Sequence, residues 1–466
     1  MVELSPWLIL IAAFLLTLVM GGKWNIPIAA WLAPAFLLHF LHSQNPGAGF
    51  TIAVGVVAFA FFFSWKGLAP LPFPAYIGFI VILAFFFIVP FLSDRLLTPY
   101  FPGFLSTLVF PITLVLFEII TARLSPYGSW GSVAYTQYGN LSLMQTAFVA
   151  GIYGITFLIG WFGSTLAWAW GLGFSPQTFS GIGIYMVFLA GTLLVGGKRL
   201  ALNHHDTPTV RVALITESDL PSNRSFMLAA QTFMGNKSLD DNMWKNIRQT
   251  STEVLDSLFL LSEREAKAGA KIIIWAEAAG LVVAEEEAAF LRRATSFARE
   301  HQIYLALPVA TVHREPPRFE NKVAMVTPEG NIAWLYHKSR PVPGPESART
   351  IRGDSTPRTI DTPYGRLGVL ICFDADFPFL ARPFEKAKID ILLVPSSDWK
   401  DIDPLHSHMA VFRGVEVGAS VLRPARAGLS IATDPYGRVI ACQDYFSTSD
   451  RTLLAYVPIR GKHNFF

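Results

Sequence analysis

The sequence predicts two unlike parts: an all-α polytopic transmembrane bundle over residues 1–200, then a layered α+β domain over 207–460. Three observations predict this. Charge is uneven: residues 1–200 hold six Lys/Arg and three Asp/Glu, while 201–466 hold 31 of each sign. The mean hydropathy of +0.41 is too high for an ordinary soluble chain and reflects the first part. From "TPTVRVALITES" (207–218) onward, short β-rich runs alternate with helical patterns.

The first part contains about seven apolar segments of bilayer-spanning length, near 5–20, 26–42, 49–65, 73–93, 102–121, 143–171 and 178–197. "AVGVVAFAFFFSW" and "IGFIVILAFFFIVPF" are the plainest. The first segment leads into another apolar segment, so it reads as an anchor and not a cleaved signal. Glu118 lies within "LVLFEIITAR". A carboxylate at that depth needs a partner, and Arg123 or a neighbouring Tyr is the expected one. With seven spans, most of the few Lys/Arg fall on the same side as the second domain, which leans that domain toward the cytoplasm.

The second part carries "KIIIWAEAA", "IYLALPVA", "NKVAMVTP", "LGVLICFD" and "DILLVPSS" as strands. Helical stretches at 240–268, 284–301 and 404–418 separate some of them. About 260 residues suffice for a separate core. Residues 341–363 read as a long loop, a common place for function.

The net charge of +3 and the lack of a basic run give no support to nucleic acid as a partner, and none is expected. Two cysteines, Cys372 and Cys442, cannot build a disulfide framework. No Cys/His spacing resembles a zinc site, and the His204-His205 and His406/His408 groups read as surface or packing residues. No metal or cofactor is expected.

Three residues sit where strands end: Glu277 after "IIIW", Lys338 after "IAWLYH" and Cys372 after "LGVLI". Domains of this kind place chemistry at strand ends. A thiol with an ordinary pKa near 8.5 needs help to attack at neutral pH. A carboxylate can take its proton and return it to a leaving group. A lysine can stabilise the oxyanion, with the Phe373 N–H as a second donor. Glu, Lys and Cys therefore suffice for acyl transfer if they converge.

The segments "WAEAA", "YHKSRPVPGPE" and "LICFDADFP" resemble the nitrilase (carbon–nitrogen hydrolase) superfamily. "HSHMAVFRGVEVG" is similar to that family's following helix, where Arg413 and Glu416 form an i, i+3 ion pair. Behind a polytopic domain with "LFEIITARL" and "GIYGITFL" (Gly151 to Leu158), the whole resembles the apolipoprotein N-acyltransferase family. The resemblance implies a four-layer αββα sandwich. It implies a phospholipid acyl donor, a diacylglyceryl-modified lipoprotein acceptor, and a bacterial inner-membrane monomer with its catalytic domain facing the periplasm. It makes Cys372 the nucleophile, Glu277 the base, Lys338 the oxyanion partner and Glu346 a supporting carboxylate. Asp374 stands where that family has Glu. This chain has "WAE" for the family's "WPE" and "VPGPE" for "VPFGE", and it stops at Phe466, before the family's final membrane helix.

Two other readings stay open. "CFDADFP" is nearer to soluble amidases, which suggests a membrane-anchored amidase acting on a small amide. A retired enzyme serving as a membrane scaffold is the third. Phe373, Phe377 and Phe379 line an acyl pocket or simply fill the core. Residues 219–245, with Phe226, Met227, Phe233, Met234 and Trp244, either dip into lipid or pack as an ordinary helix.

Overall fold

The computed structural model describes residues 5–69, 71–173, 175–201, 207–217, 241–315 and 319–459. The chain divides into two compact units, Met1–Asn203 and His204–Phe466.

The first unit is helical. Five of its described helical segments are long and apolar enough to cross a membrane: Pro46–Ser64, Phe73–Tyr100, Gly103–Leu124, Ile152–Leu172 and Pro176–Ala201. The expected count was about seven. The two earliest segments form shorter apolar helices, Trp7–Thr17 and Pro27–Ser43. The apolar run at 143–171 is interrupted at Gly151, whose φ of +63° lies in the left-handed region that glycine tolerates. Leu141–Ala150 is thereby set apart from the long helix after it.

Glu118 pairs differently from expectation. Its carboxylate accepts from Ser132 Oγ (2.8 Å), Thr156 Oγ1 (2.8 Å) and the Val133 N–H (3.1 Å). Three uncharged donors satisfy it, and they tie the 132–133 turn and the Ile152–Leu172 helix to the helix that carries Glu118.

The second unit has two large sheets. Its strands are β1 (Thr209–Ile215), β2 (Ile272–Trp275), β3 (Gly280–Val283), β4 (Tyr304–Val312), β5 (Phe319–Val326), β6 (Ile332–His337), β7 (Thr359–Thr362), β8 (Gly365–Val369), β9 (Ile391–Leu393), β10 (Ser396–Ser397), β11 (Ser420–Arg423), β12 (Ala425–Arg426), β13 (Leu429–Thr433), β14 (Val439–Asp444) and β15 (Thr452–Pro458). One sheet runs β15-β1-β2-β4-β5-β6, with β3 also paired to β4. The other runs β14-β13-β11-β9-β8-β7, and β10 pairs β12 apart from both.

The period-two alternation of strand side chains builds the layers. On β1, Val210, Val212 and Leu214 join a core with Leu367 and Val369 of β8 and Ile391 and Leu393 of β9. Ala213 and Ile215 face the other way, onto Val254, Leu258, Phe290 and Ala294 of the helices Asp241–Lys267 and Ala284–His301. The outer face of the second sheet offers Leu392 and Val421 to Leu380, Ala381 and Phe384 of Pro378–Lys386 and to Ala410 and Val417 of Leu405–Val417. The order is helices, sheet, sheet, helices, the αββα sandwich. Arg413 and Glu416 form their ion pair at 3.0 Å on the last of these helices.

Trp244 is buried against Ile247, Leu281 and Val283, as ordinary helix packing requires. Phe226, Met227, Phe233 and Met234 lie outside the described residues.

Replacing Glu118 with Leu should strand two hydroxyls and a backbone N–H in an apolar bundle. Each buried donor left without an acceptor costs about 1–3 kcal/mol. The melting temperature in detergent should fall by several degrees, and less for Glu118→Gln, which keeps a carbonyl acceptor. A Leu variant as stable as the wild type would show that those donors find other partners.

Candidate active site

Three strands end close together and deliver the three expected residues. Glu277 lies two residues beyond β2, in a turn where Ala278 takes φ +58°. Lys338 follows β6 directly, and its N–H donates to the Asn321 carbonyl of β5 at 2.8 Å. Cys372 opens a short 3-10 turn after β8. Its φ of +47° is a conformation that L-residues seldom adopt. The Cys372 N–H donates to the Pro395 carbonyl at 2.9 Å, which locks that turn to the end of β9.

Glu277 is the hub. Its Oε1 accepts from Lys338 Nζ (2.8 Å) and Asn321 Nδ2 (2.7 Å). Its Oε2 accepts from the Ser397 N–H (3.0 Å). The Cys372 thiol is close enough to feel the Glu277 charge, and its Sγ lies 3.8 Å from the Ser397 carbonyl. Lys338 Nζ reaches both oxygens of Glu346, at 3.0 and 3.1 Å. Glu346 in turn accepts from the Val342 N–H at 2.8 Å, so the 341–346 loop is closed onto its own carboxylate. Glu277, Lys338 and Cys372 are each buried, whereas the Glu346 side chain keeps 22% of its surface exposed.

The charges are arranged in one sense. Burial would push Glu277 up, but the Lys338 ammonium and the hydrogen bonds from Lys338 and Asn321 hold it below the ordinary carboxylate range. Burial would lower Lys338, and the Glu277 and Glu346 charges hold it well above its ordinary value instead. Burial and the Glu277 charge push the Cys372 thiol well above the ordinary value, against the pull of Lys338. At neutral pH the arrangement is a thiol, a carboxylate and an ammonium. Moving the thiol proton to Glu277 creates no net charge inside the buried cluster.

Asp374 holds the scaffold. Its carboxylate accepts from the N–H groups of Ser339, Arg340 and Ile371 and from the Tyr336 hydroxyl at 2.9 Å. It therefore ties the chain around Lys338 to the turn that starts at Cys372. Burial pushes it up to about 6, partly opposed by Lys338 and by the hydrogen bond from Tyr336. Phe373 and Phe377 pack edge to face in the core between that turn and the helix Pro378–Lys386, which supports the core reading for both.

A second charged group backs the cysteine. His406 is held between Asp398 (2.7 Å from Nδ1) and Asp376 (3.2 Å from Nε2), and Arg423 pairs with Asp398 at 2.9 Å. All four are buried. Burial would lower His406, yet the two carboxylates raise it to about 9. Cys372, Asp398 and His406 offer ligand atoms within 4.8 Å of one another. His406 and Arg423 pair with Asp376 and Asp398, so we read the group as an ion-pair knot. Its other function is to fix Ser397, the neighbour of Asp398, whose N–H meets Glu277 and whose carbonyl lies 3.8 Å from Cys372 Sγ.

The residues expected from the strand ends thus come together, with Glu346 beside them. Sequence reasoning missed Asn321, Ser397 and the Asp398–His406–Arg423 knot. The available signals were a lone polar side chain between "E" and "KVAMV", and "SSD" directly after an apolar strand.

Comparison with known proteins agrees with both halves of the chain. Residues 12–165 match the apolipoprotein N-acyltransferase N-terminal domain, and residues 244–459 match the carbon-nitrogen hydrolase family. An apolipoprotein N-acyltransferase of Geobacter metallireducens is 26% identical over 448 residues, covering 88% of this chain and 81% of the relative. One of Rickettsia prowazekii is 24% identical, covering 86% and 78%. An (R)-stereoselective amidase of a Pseudomonas species is 31% identical over 152 residues, which is 30% of this chain and 54% of the amidase.

His406 yields a pH dependence whose sign follows from its raised value. A group protonated more readily when folded adds stability that is complete below its unfolded value near 6.5 and is lost as pH rises through about 9. The ceiling is about 3 kcal/mol. Thermal melts should show stability falling between pH 7 and 9, and His406→Gln should flatten that slope while lowering stability at pH 7. An equal slope in the variant would place the titrating group elsewhere.

Proposed function

We propose that this chain, which belongs to the apolipoprotein N-acyltransferase family, moves a fatty acyl chain from a phospholipid to the N-terminal amine of a diacylglyceryl-modified lipoprotein through a thioester on Cys372. The observation that carries the reading is the buried Lys338–Glu277 ion pair beside the buried Cys372 thiol, in a chain whose other unit is apolar and helical.

The reaction has two halves. Cys372 Sγ attacks the ester carbonyl of the donor while Glu277 takes the thiol proton. Lys338 Nζ and the Phe373 N–H stabilise the oxyanion. The carbon–oxygen bond breaks, Glu277 returns the proton to the leaving alkoxide, and a lysophospholipid departs. The acceptor amine then attacks the thioester. Glu277 takes a proton from the amine and returns it to the Cys372 sulfur as the carbon–sulfur bond breaks. An amide-linked chain and a free thiol result. Glu346 keeps Lys338 in place, and Asp374 keeps the two turns in register. No metal or cofactor has a part, because every proton and charge has a side chain to hold it. The enzyme works as a monomer in the bacterial cytoplasmic membrane, with the catalytic unit on the periplasmic side.

A membrane-anchored amidase is the second reading. "CFDADFP" and the similarity to the Pseudomonas amidase favour it. It uses the same thioester but passes the acyl group to water.

Intact-mass spectrometry separates the two. Purified protein in detergent is mixed with phospholipid, with or without a diacylglyceryl-cysteine peptide. The expected result is a gain of one acyl mass on the wild type, passed to the peptide when it is present. Cys372→Ala should show no gain. Glu277→Gln and Lys338→Met should each slow the gain by about 100-fold or more. A folded wild type that gains nothing from lipid but turns over small amides would establish the amidase instead.

A further inference from the structure

We infer that Asn321 is a positioning residue of this site, a second and uncharged clamp that works beside Lys338 to hold Glu277 and Glu346 as a fixed pair of carboxylates. The inference rests on the acyl-transfer reading of Glu277 as the base.

Lys338 Nζ and Asn321 Nδ2 touch the same two oxygens. Glu277 Oε1 lies 2.8 Å from Nζ and 2.7 Å from Nδ2. Glu346 Oε1 lies 3.0 Å from Nζ and 3.3 Å from Nδ2. Two carboxylates sharing so small a space repel each other, and one ammonium balances only one of them. The remaining negative charge needs neutral donors, and Asn321 supplies the donor common to both carboxylates. Its orientation follows from the chemistry, since only the amide nitrogen can face two anions.

The strand explains why this residue is rigid. Asn321 is 2% exposed, and its carbonyl accepts from the Lys338 N–H at 2.8 Å, so one stretch of β5 holds both clamps. Its neighbours are engaged elsewhere. Glu320 accepts from Lys322 and sits against His313 and His337, and Lys322 also pairs with Glu287. Asn321 is therefore the member of that triplet committed to the site.

Removing the clamp should make Glu277 easier to protonate, because burial then meets fewer donors. The test is the rate of Cys372 alkylation by iodoacetamide against pH, in a Cys442→Ser background because Cys442 is exposed. The acid limb of that profile reports protonation of Glu277, which must be ionised to take the thiol proton. Asn321→Ala should move the limb upward by about one pH unit, with Asn321→Ser between it and the wild type. Thermal melts identify any variant that fails to fold, and the Ser variant decides if Ala does. An unmoved limb in a folded variant, with a merely uniform fall in rate, overturns the inference. Acylation by phospholipid is measured on the same samples. A wild type that alkylates with an acid limb but never acylates defeats the acyl-transfer reading while still deciding the role of Asn321.

Discussion

The ion pair between Lys338 and Glu277 is the constraint on which the catalytic unit depends. Both groups are buried, and their separation is 2.8 Å. Removing two such charges from water costs several kcal/mol each, and their attraction repays it only when the remaining lone pairs and protons are also satisfied. The surroundings meet that condition. The Ser397 N–H and the Asn321 amide complete Glu277, and Glu346 completes Lys338. Each of these partners is fixed by something else. Ser397 is anchored by the neighbouring Asp398 with Arg423 and His406. Asn321 is locked in the middle of β5, and Glu346 is locked by the Val342 N–H. The pair is thus the centre of a polar region that a well-packed apolar core would not need, which suits a site selected for chemistry more than for stability.

The same arrangement sets how the cysteine works. In a cysteine–histidine site the resting state is a thiolate beside an imidazolium. Here the resting state is a protonated thiol beside an ionised carboxylate, since burial and the Glu277 charge both oppose the thiolate. In the proposed reaction, proton transfer and attack on the acyl carbon therefore belong together. On that proposal the cysteine is quiet until a carbonyl is in place, because the oxyanion is the new charge that Lys338 would receive. The left-handed backbone at Cys372 serves the same end. It turns the chain sharply after β8, and the Pro395 carbonyl and the Asp374 carboxylate hold that turn.

Much of this was legible in the sequence, and the reasons are specific. Glu277, Lys338 and Cys372 each follow an apolar run that only a buried strand explains, and strand ends in layered domains converge. The two-part organisation follows from charge counts alone. What was not legible depends on pairing between distant segments. Asn321 looks like any polar residue in a strand until β5 is placed between β4 and β6. Glu118 was expected to seek Arg123 or a tyrosine. Its partners came instead from a turn and a helix that follow it by 14 to 38 residues, which no periodicity reveals. The apolar run at 143–171 hides a break, because Gly151 is as apolar as its neighbours and differs only in the backbone angles that it permits.

His406 is another residue whose setting the sequence does not show. In the sequence, His406 and His408 read as surface or packing residues. The structure places carboxylates on both ring nitrogens and adds Arg423 on one of those carboxylates, so the imidazole carries its proton and keeps it at neutral pH. Its positive charge balances Asp376, as Arg423 balances Asp398, so this knot sums to zero next to a cysteine that must pass through a charged state. Among the described residues, Glu277, Lys338 and Glu346 form the other charged group near the sulfur, and the Asp374 carboxylate holds the turn that begins at Cys372. With the knot balanced, Glu277 is the carboxylate whose charge acts most strongly on the sulfur, which suits it to take the thiol proton in the proposed reaction.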